Sequence, residues 1–366
     1  MILSVKNVPH YLVNCGLLNT RDLVDGQLMV MEVPRRNRNF KVLHKRLPGY
    51  FVKQIQIWEP QGAAALQREA TVCWLPENDP DFIAIKTLVP KYRFYDAVRN
   101  ALVTELIPAA ESLSEYHQRL GKFPVQIGHL LGTTLAIYHR LSLVDLPNNK
   151  HLNAFPKAVP WILSIHQHDV SRLNQISMGN TQLITLIQQH SDFHPLLDSL
   201  HAQWQPNSLI HGDMKWDNCL VRYPPGGGDE ETLWLVDWEL ADIGDACWDV
   251  GGVFQAYLSF WILSIQMTTG IAPAQMAELA QYPIEAMQPA IHAFWKTYRM
   301  AMQLDEKAAK AWLERSVMYA AARMIQTGYE YMYQSPQLTA SAVCLLQVSV
   351  NILKRPAEAI EHLLKA

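Results

Sequence analysis

The sequence predicts an α+β protein with two lobes, in which a small antiparallel β-sheet lobe precedes a larger, mainly helical lobe. At 366 residues the chain exceeds what one hydrophobic core usually organises. Strand-like segments separated by tight turns fill residues 27–58, whereas apolar residues at helical spacing dominate beyond Pro108. We therefore expect a first lobe over residues 1–107, with a short N-terminal helix, and a second lobe over residues 108–366.

Composition and charge indicate a folded protein of the cytoplasm. Apolar residues make up 49% of the chain and charged residues 18%, as in ordinary globular proteins. The formal net charge of -3 lacks the basic excess that favours binding to nucleic acid or to an anionic membrane, so we expect neither partner. The five scattered cysteines form no C-x-x-C pair, and no signal-like cleavage site follows the N-terminus. Reduced thiols and a cytoplasmic location are therefore predicted.

The strongest candidate for a membrane span is the apolar segment 253–267. It is bracketed by Gln255 and Gln266, and it is shorter than the roughly 20 residues that a spanning helix needs. We predict that this segment is a buried core helix instead.

The first lobe is predicted to begin with a short helix and to continue with three antiparallel strands. Asn7, followed by a proline at position 9, is typical of a capped helix start, and this helix is expected to end before Asp25. The strand pattern then appears in LMVMEV, FKVLHK and YFVKQIQIW. The polar loop 34–39 and a Pro-Gly pair at Pro48 separate the three segments.

A helix and two further strands complete the predicted first lobe. Residues 62–75 have helical spacing, with Leu66 and Ala70 on the apolar side. Glu69 projects from the same apolar face, where a carboxylate needs a partner. Residues 82–89 and 101–107 are predicted to be the two strands.

The second lobe is predicted to be helical with one β interruption. Helical spacing covers six segments: 127–140, 181–189, 250–267, 284–302, 306–329 and 340–364. Before the third of them, NCLVRY and TLWLVDW flank a polar segment rich in proline and glycine. This arrangement indicates a β-hairpin.

The residues with the clearest chemistry lie on either side of this hairpin. HGDMKWDN occupies residues 211–218, and LVDWE occupies residues 235–239. Here the sequence is similar to the aminoglycoside and choline phosphotransferase family, distant relatives of the protein kinases. Those enzymes carry an aspartate and, five residues later, an asparagine in a catalytic loop, with a metal-binding aspartate at the end of a later strand.

The resemblance implies a bilobal protein kinase-like fold with ATP between the lobes. It implies that Asp213 orients and deprotonates the acceptor hydroxyl, while Asn218 and Asp237 ligate Mg²⁺ through hard oxygen atoms. Lys215 follows the protein kinase pattern more closely than that of many small-molecule kinases, and its charge would reach the transferring phosphate. Backbone groups of residues 105–107 would meet the purine ring, so ATP versus GTP stays open.

The first lobe carries further matches to nucleotide-binding residues. Lys53 lies within an apolar strand and Glu69 on the apolar face of the next helix, like the ion pair that positions the α- and β-phosphates in kinases. Arg38 and Asn39 lie in the phosphate loop 34–39, which has no glycine, so arginine charge would replace backbone amides there. The alternatives are that Lys53 lies on an edge strand, that Glu69 is solvated, and that the arginines of the loop form a solvated turn.

Other polar clusters leave alternatives open. The histidines of segments 166–169 and 190–194 offer zinc-ligand types, although polar helix ends explain them better. Glu239 and Asp242 either attract a cationic acceptor or form surface charge. Asp249 is expected to brace the catalytic loop, and the aromatic residues of the second lobe are expected to form core rather than a substrate cage.

The predicted function is ATP- and Mg²⁺-dependent transfer of the γ-phosphoryl group to a hydroxyl of a small molecule, such as an amino alcohol, a sugar or an aminoglycoside-like metabolite. Lys215 keeps open a peptide Ser/Thr kinase in a peptide natural-product pathway. The unusual phosphate loop keeps open a pseudokinase-like scaffold that binds nucleotide or a partner protein without turnover.

Overall fold

The structure is a computed structural model, and it describes residues 2–34, 37–55, 60–145, 151–152, 155–167, 177–222, 232–267 and 277–366. The chain divides into two compact units, Met1–Leu113 with Asp217–Ala241, and Ser114–Trp216 with Asp242–Ala366. The predicted boundary between residues 107 and 108 stays a prediction. The main difference between the two units and the two predicted lobes is the hairpin segment 217–241, which belongs to the first unit.

A five-stranded antiparallel sheet is the framework of the first unit. Its strands are β1 Leu28–Pro34, β2 Arg38–His44, β3 Tyr50–Gln54, β4 Tyr92–Asp96 and β5 Ala101–Glu105, in the spatial order β1-β2-β3-β5-β4. The three strands predicted first in the chain and the strand at Ala101 are confirmed. Because β3 lies in the centre of the sheet, Lys53 is not an edge-strand lysine.

Helices cover both faces of this sheet. α1 Val8–Asn14 packs Val8 and Leu12 against Val52, while α3 Pro60–Asn78 packs Leu66 against Leu102. Side chains alternate between the two faces of a strand, so these contacts assign each position of the sheet to one helix or the other. The predicted N-terminal helix is in fact two, because the chain turns at Gly16 with φ of +71° before α2 Thr20–Val24.

The strand predicted over residues 82–89 is wrong. Asp79 caps a 3-10 helix over Pro80–Ile85, and its side chain accepts a hydrogen bond from the Asp81 N–H. Phe82 and Ile85 are buried three residues apart, whereas Ile83 is 58% exposed, which is helical rather than alternating spacing. The missing strand of the sheet is β4, which the sequence analysis did not predict.

Two smaller sheets carry the chemical motifs. In the first unit, β6 Ala110–Ser112 pairs with β8 Cys219–Arg222, which pairs with β9 Thr232–Leu235. The predicted hairpin is thereby confirmed, and its connecting loop lies outside the described residues. In the second unit, β7 Ser208–Ile210 pairs with β10 Asp242–Gly244.

The second unit is otherwise helical, as predicted. Its helices are α4 Leu113–Leu120, α5 Val125–Asp145, α6 Met178–Gln189, α7 Phe193–Ala202, α8 Ala246–Leu263, α9 Ile284–Ala301, α10 Glu306–Tyr331, α11 Ala340–Lys354 and α12 Pro356–Glu358. Helix α8 is buried along nearly its whole length, which confirms the core helix predicted from Val253. The last predicted helix is broken at Arg355, because Pro356 begins a new helical segment, which continues as a π-helix over Ala359–Leu364. In the described parts of the chain, no helix combines the length and apolar character needed to span a bilayer.

Candidate active site

Lys53 is buried on β3 and bound by three carboxylates of the first unit. Its Nζ lies 2.7 Å from Glu69 Oε2 and 3.1 Å from Glu239 Oε2, and it also contacts Asp237 Oδ1. Lys53 is directly opposite Leu102, so it lies on the sheet face that α3 covers. Glu69 comes from the buried face of that helix and is 9% exposed, so it is not a solvated residue.

The electrostatics of this cluster are set by one ammonium among three carboxylates. Burial opposes the charge of Lys53, but the carboxylates of Glu69, Asp237 and Glu239 outweigh it and raise the pKa of Lys53. Burial also raises the pKa of Glu69 to about 7, against the opposing effect of Lys53. Oxygen atoms of the three carboxylates lie within 4.8 Å of one another, a spacing suited to one metal ion. Three carboxylates around one ammonium leave surplus negative charge, and hard oxygen donors fit Mg²⁺.

Asp237 reaches Lys53 from the end of the hairpin. Beyond the pair Cys219–Leu235, the Val236 N–H donates to the Asn218 carbonyl at 2.9 Å. Asp237 follows with φ of 65°, a left-handed conformation that only a few residue types adopt easily. Asn218 is 1% exposed, and the hairpin brings its backbone opposite that of Val236. Joint ligation of a metal by Asn218 and Asp237 stays a prediction.

Glu239 belongs to the same cluster, and a residue that the sequence analysis missed supports it. Arg68 Nε and Nη2 donate to the Glu239 carbonyl at 3.2 and 2.9 Å. Asp242 has a different place: its carboxylate accepts hydrogen bonds from the Lys157 N–H at 2.6 Å and the Ala158 N–H at 2.8 Å. The structure thus separates the two acidic residues, since Asp242 anchors a loop of the second unit.

The two phosphate-loop residues point to opposite faces of the sheet. Asn39 is 5% exposed and directly opposite Lys53, and its buried Oδ1 has no hydrogen-bond partner among the described residues. Arg38 is opposite Gln54, and its Nη1 donates to the Leu3 carbonyl at 3.3 Å. The structure therefore brings Asn39 to the face of Lys53 and does not bring Arg38 there. The other two arginines of this loop lie outside the described residues.

Asp213 lies in the second unit, in the loop that follows β7. It is 9% exposed, and its two carboxylate oxygens have different cationic partners. Lys215 Nζ lies 2.8 Å from Oδ2, and Arg323 Nη2 lies 3.5 Å from Oδ1. Burial would raise the pKa of Asp213, but Lys215 and Arg323 outweigh that effect and lower it. The carboxylate is therefore ionised at neutral pH and able to accept a hydrogen bond.

Asp249 braces this loop as the sequence analysis expected. Its Oδ2 accepts from the His211 N–H at 2.6 Å, and its Oδ1 accepts from the Gly212 N–H at 3.0 Å. The Tyr138 hydroxyl donates to the same carboxylate at 2.8 Å. Arg323 was not predicted, although a charged residue inside the apolar run AAARMI was a visible signal.

The remaining polar and aromatic clusters do not build a second site. His166 Nε2 lies 3.0 Å from Asp198 Oδ1, and in the described residues the acidic group around Lys53 is the one set of three or more metal-ligand side chains close enough to share an ion. The second predicted histidine of this segment, His168, lies outside the described residues. Phe294, Trp295 and Tyr298 are buried, which confirms their assignment to the core, whereas Tyr333 is 67% exposed, so its assignment to the core is wrong.

Comparison with known proteins agrees with this geometry. A buried lysine–glutamate pair on a small antiparallel sheet, and an aspartate loop on a helical unit, are typical of phosphotransferases with the protein kinase-like fold. The chain belongs to the phosphotransferase enzyme family, whose model matches residues 34–284. No curated protein matches the sequence significantly.

Solved structures share the fold at low sequence identity. The chain is similar to choline kinase from Cryptosporidium parvum Iowa II, with a TM-score of 0.54 and 14% identity over 97% of this chain and 94% of that one. It is similar to a choline/ethanolamine kinase family protein from Mesorhizobium loti, with a TM-score of 0.51 and 14% identity over 96% of this chain and 97% of that one. The chain is also similar to a glucosamine kinase in complex with glucosamine, ADP and inorganic phosphate. The TM-score is 0.50 and the identity is 13%, over 98% of this chain and 84% of that one. These likenesses confirm the predicted α+β fold.

Proposed function

We propose that this phosphotransferase moves the γ-phosphoryl group of ATP to a hydroxyl of a small amino alcohol or amino sugar. The observation that carries the proposal is the cluster around Lys53. One ammonium faces three carboxylates whose oxygens converge within 4.8 Å, on the sheet-and-helix unit typical of kinases. The carboxylates outnumber the ammonium, so an additional cation would balance their charge. A divalent metal ion bound to a polyphosphate is such a cation, because it prefers oxygen ligands.

The site residues of the first unit have separate roles in nucleotide binding. Asn218 and Asp237, together with Glu239, are the residues that would hold Mg²⁺, and the ion would neutralise charge on the phosphates. Lys53 would bind the α- and β-phosphates and Asp237 would be available to hold the metal, while Glu69 keeps the ammonium oriented. Asn39, on the same sheet face as Lys53, donates through its amide to a phosphate oxygen.

Asp213 and Lys215 act on the acceptor and the transferring group. Asp213 accepts a hydrogen bond from the acceptor hydroxyl and takes its proton as the oxygen bonds to the γ-phosphorus and the bond to ADP breaks. Its lowered pKa makes it a weak base, which suits a loose transition state in which the proton becomes acidic late. Lys215 turns from Asp213 to an oxygen of the transferring group.

The acceptor class is supported by the similar structures, which are a choline kinase, a choline/ethanolamine kinase family protein and a glucosamine kinase. Cytoplasmic location and the absence of nucleic-acid and membrane partners remain predictions from the sequence.

The test follows labelled γ-phosphate from ATP into choline, ethanolamine, glucosamine and a Ser/Thr peptide library. We expect label in a small molecule, and Asp213→Asn should lower transfer at least about 1000-fold because the proton acceptor is lost. MgADP binding to that variant, measured by calorimetry, should stay at the wild-type level. Label in peptides alone would contradict the acceptor class, and binding without any transfer would support a non-catalytic nucleotide-binding protein.

A further inference from the structure

Arg323 lies on α10 in the second unit, beyond the segment 34–284 that the family model matches. Its side chain is 3% exposed. A buried guanidinium is costly unless its charge and its donors are satisfied, so the groups that it binds show what its burial achieves.

The guanidinium binds the loop that carries Asp213. Nη1 donates to the Gly212 carbonyl at 3.0 Å, and Nη2 donates to the Met214 carbonyl at 3.0 Å. Nη2 also lies 3.5 Å from Asp213 Oδ1. One planar group thus contacts three consecutive residues, which suits the fixed fork of an arginine and not the single ammonium of a lysine.

Helix α8 holds the guanidinium and the loop together. Arg323 Cζ lies 5.1 Å from the ring centroid of Trp248, whose Nε1 donates to the Gly212 carbonyl at 3.0 Å. One turn later, Gly252 leaves room for both: a Cβ there would lie 2.7 Å from the Met214 carbonyl oxygen and 3.2 Å from Arg323 Nε. The close approach therefore depends on a position without a side chain.

The loop is held from two sides by groups of opposite charge. Asp249 accepts hydrogen bonds from the N–H groups of His211 and Gly212, whereas Arg323 donates to the carbonyls of Gly212 and Met214. The two cations that face Asp213 also differ in freedom, because the Lys215 side chain is 34% exposed and that of Arg323 is 3% exposed. Arg323 is therefore the more enclosed of the two cations.

We propose that Arg323 is a positioning residue for phosphoryl transfer, which fixes residues 212–214 and remains the charge partner of Asp213 when Lys215 turns to the phosphate. This inference rests on the proposed function of Asp213. The charged side chains that face Asp213 are Lys215 and Arg323, and the His211 ring lies beside its backbone, with Nδ1 accepting from the Asp213 N–H at 3.3 Å. The two cations lower the pKa of Asp213, in agreement with the assignment.

The test combines Arg323→Met and Arg323→Lys with Asp213→Asn in a double-mutant cycle. The probe is MgATP hydrolysed by water, because this reaction needs no added acceptor. We expect Arg323→Met to lower kcat about 100-fold, as small misplacements of catalytic groups do, with the KM for ATP within about threefold. Arg323→Lys should recover part of kcat. In the Asp213→Asn background, Arg323→Met should cause little further loss, since both changes remove the same contribution.

Arg315→Met is the matched control. Arg315 is another arginine of α10 whose side chain is largely enclosed, at 12% exposed, but its Nε lies 3.0 Å from Asp245 Oδ2 and not on residues 212–214. Amide hydrogen exchange of the peptide covering residues 211–216 should rise in Arg323→Met and stay at the wild-type level in Arg315→Met.

Independent losses in the double variant, or wild-type kcat in Arg323→Met, would overturn the assignment. If Arg323→Met does not fold, Arg323→Lys decides: reduced kcat at a wild-type melting temperature supports it, and full kcat overturns it. If the wild-type protein hydrolyses no ATP and transfers no phosphate, the proposed function fails separately, and hydrogen exchange alone decides whether Arg323 holds the loop.

Discussion

Lys53 and Glu69 are single charged residues in apolar surroundings of the first unit. Lys53 was singled out because it interrupts an apolar strand, and Glu69 because it projects from the apolar face of a helix. The structure brings their side chains within 2.7 Å, and both are buried. Asp237 and Glu239 complete the group from a segment more than 160 residues later in the chain. The pairing was predictable because a buried charge needs a partner of opposite sign.

Replacing Lys53 by methionine should make folding dependent on a divalent cation. Without the ammonium, Asp237 and Glu239 lose their partner, and Glu69, whose pKa is about 7 even beside Lys53, takes up a proton. We expect a loss of roughly 2–3 kcal/mol in the free energy of unfolding, less than for a fully buried pair because Asp237 and Glu239 are partly exposed. Urea unfolding in EDTA and in Mg²⁺ measures this, and Mg²⁺ should restore stability to the variant more than to the wild type.

Lys86→Met is the control for this prediction. Lys86 Nζ lies 3.0 Å from Glu77 Oε2, but the Lys86 side chain is 47% exposed. An exposed pair contributes about 0–1 kcal/mol, so neither the loss nor the Mg²⁺ dependence should appear. Equal responses of the two variants would show that the cluster around Lys53 has no special affinity for a cation.

At the scale of elements, the predictions from hydrophobic periodicity succeeded for long segments and failed for a short one. The helices and the hairpin were found because their apolar spacing is regular over many residues. The prediction of a strand over 82–89 is wrong because a short apolar run fits both patterns, and Asp79 caps a 3-10 helix there. No local pattern in the sequence predicts the role of Gly251 and Gly252 in α8. The structure shows that they determine how closely other elements approach this helix.

Gly252→Ala should damage both stability and catalysis. The added Cβ would lie 2.7 Å from the Met214 carbonyl oxygen and 2.8 Å from Met214 Cβ, so the loop must shift. We expect a loss of about 1–3 kcal/mol in urea unfolding, as for other overpacked sites, together with reduced phosphoryl transfer.

Gly328→Ala in α10 is the matched comparison for Gly252→Ala. Its Cβ would meet Leu183 Cδ1 at 3.4 Å, an ordinary van der Waals contact. Alanine is the better helix former, so this variant should be unchanged or more stable by up to about 1 kcal/mol. A Gly252→Ala protein as stable and active as Gly328→Ala would contradict the close packing of α8 on the loop.

At the scale of the whole molecule, the sequence analysis predicted the two kinds of architecture but not how the chain is divided between them. The antiparallel sheet belongs to one compact unit and most helices to the other, yet the first unit also takes residues 217–241 from far along the chain. Strand pairing of β6 with β8 makes this assignment, and it joins segments more than 100 residues apart. No local pattern reports such a pairing.

The folded protein should lose stability in mild acid because of His117. This residue is fully buried, its Nδ1 donates to the Lys122 carbonyl at 2.9 Å, and burial lowers its pKa from 6.5 to about 4. A lowered pKa means that the unfolded chain takes up the proton first, so the stabilisation is complete above pH 6.5 and is lost as the pH falls toward 4. The shift corresponds to about 3 kcal/mol.

Urea unfolding between pH 7 and pH 4 checks this expectation. Aromatic rings of Phe123 and Trp216 surround His117, with centroids 4.8 and 4.5 Å away, so His117→Phe should fold and should show a weaker pH dependence over that range. An unchanged slope in the variant would mean that other groups cause the acid sensitivity.

By itself, the sequence determined the fold class, the family and the chemical types at the candidate site, because apolar periodicity and the spacing of HGDMKWDN and LVDWE are local properties of the chain. Tertiary structure alone decided that Asp242 anchors a loop, that Arg38 faces away from Lys53, and that Arg323 holds the Asp213 loop. Those outcomes depend on which distant segments pack together. The free energy of burying a charge is set by partners that sequence distance does not reveal.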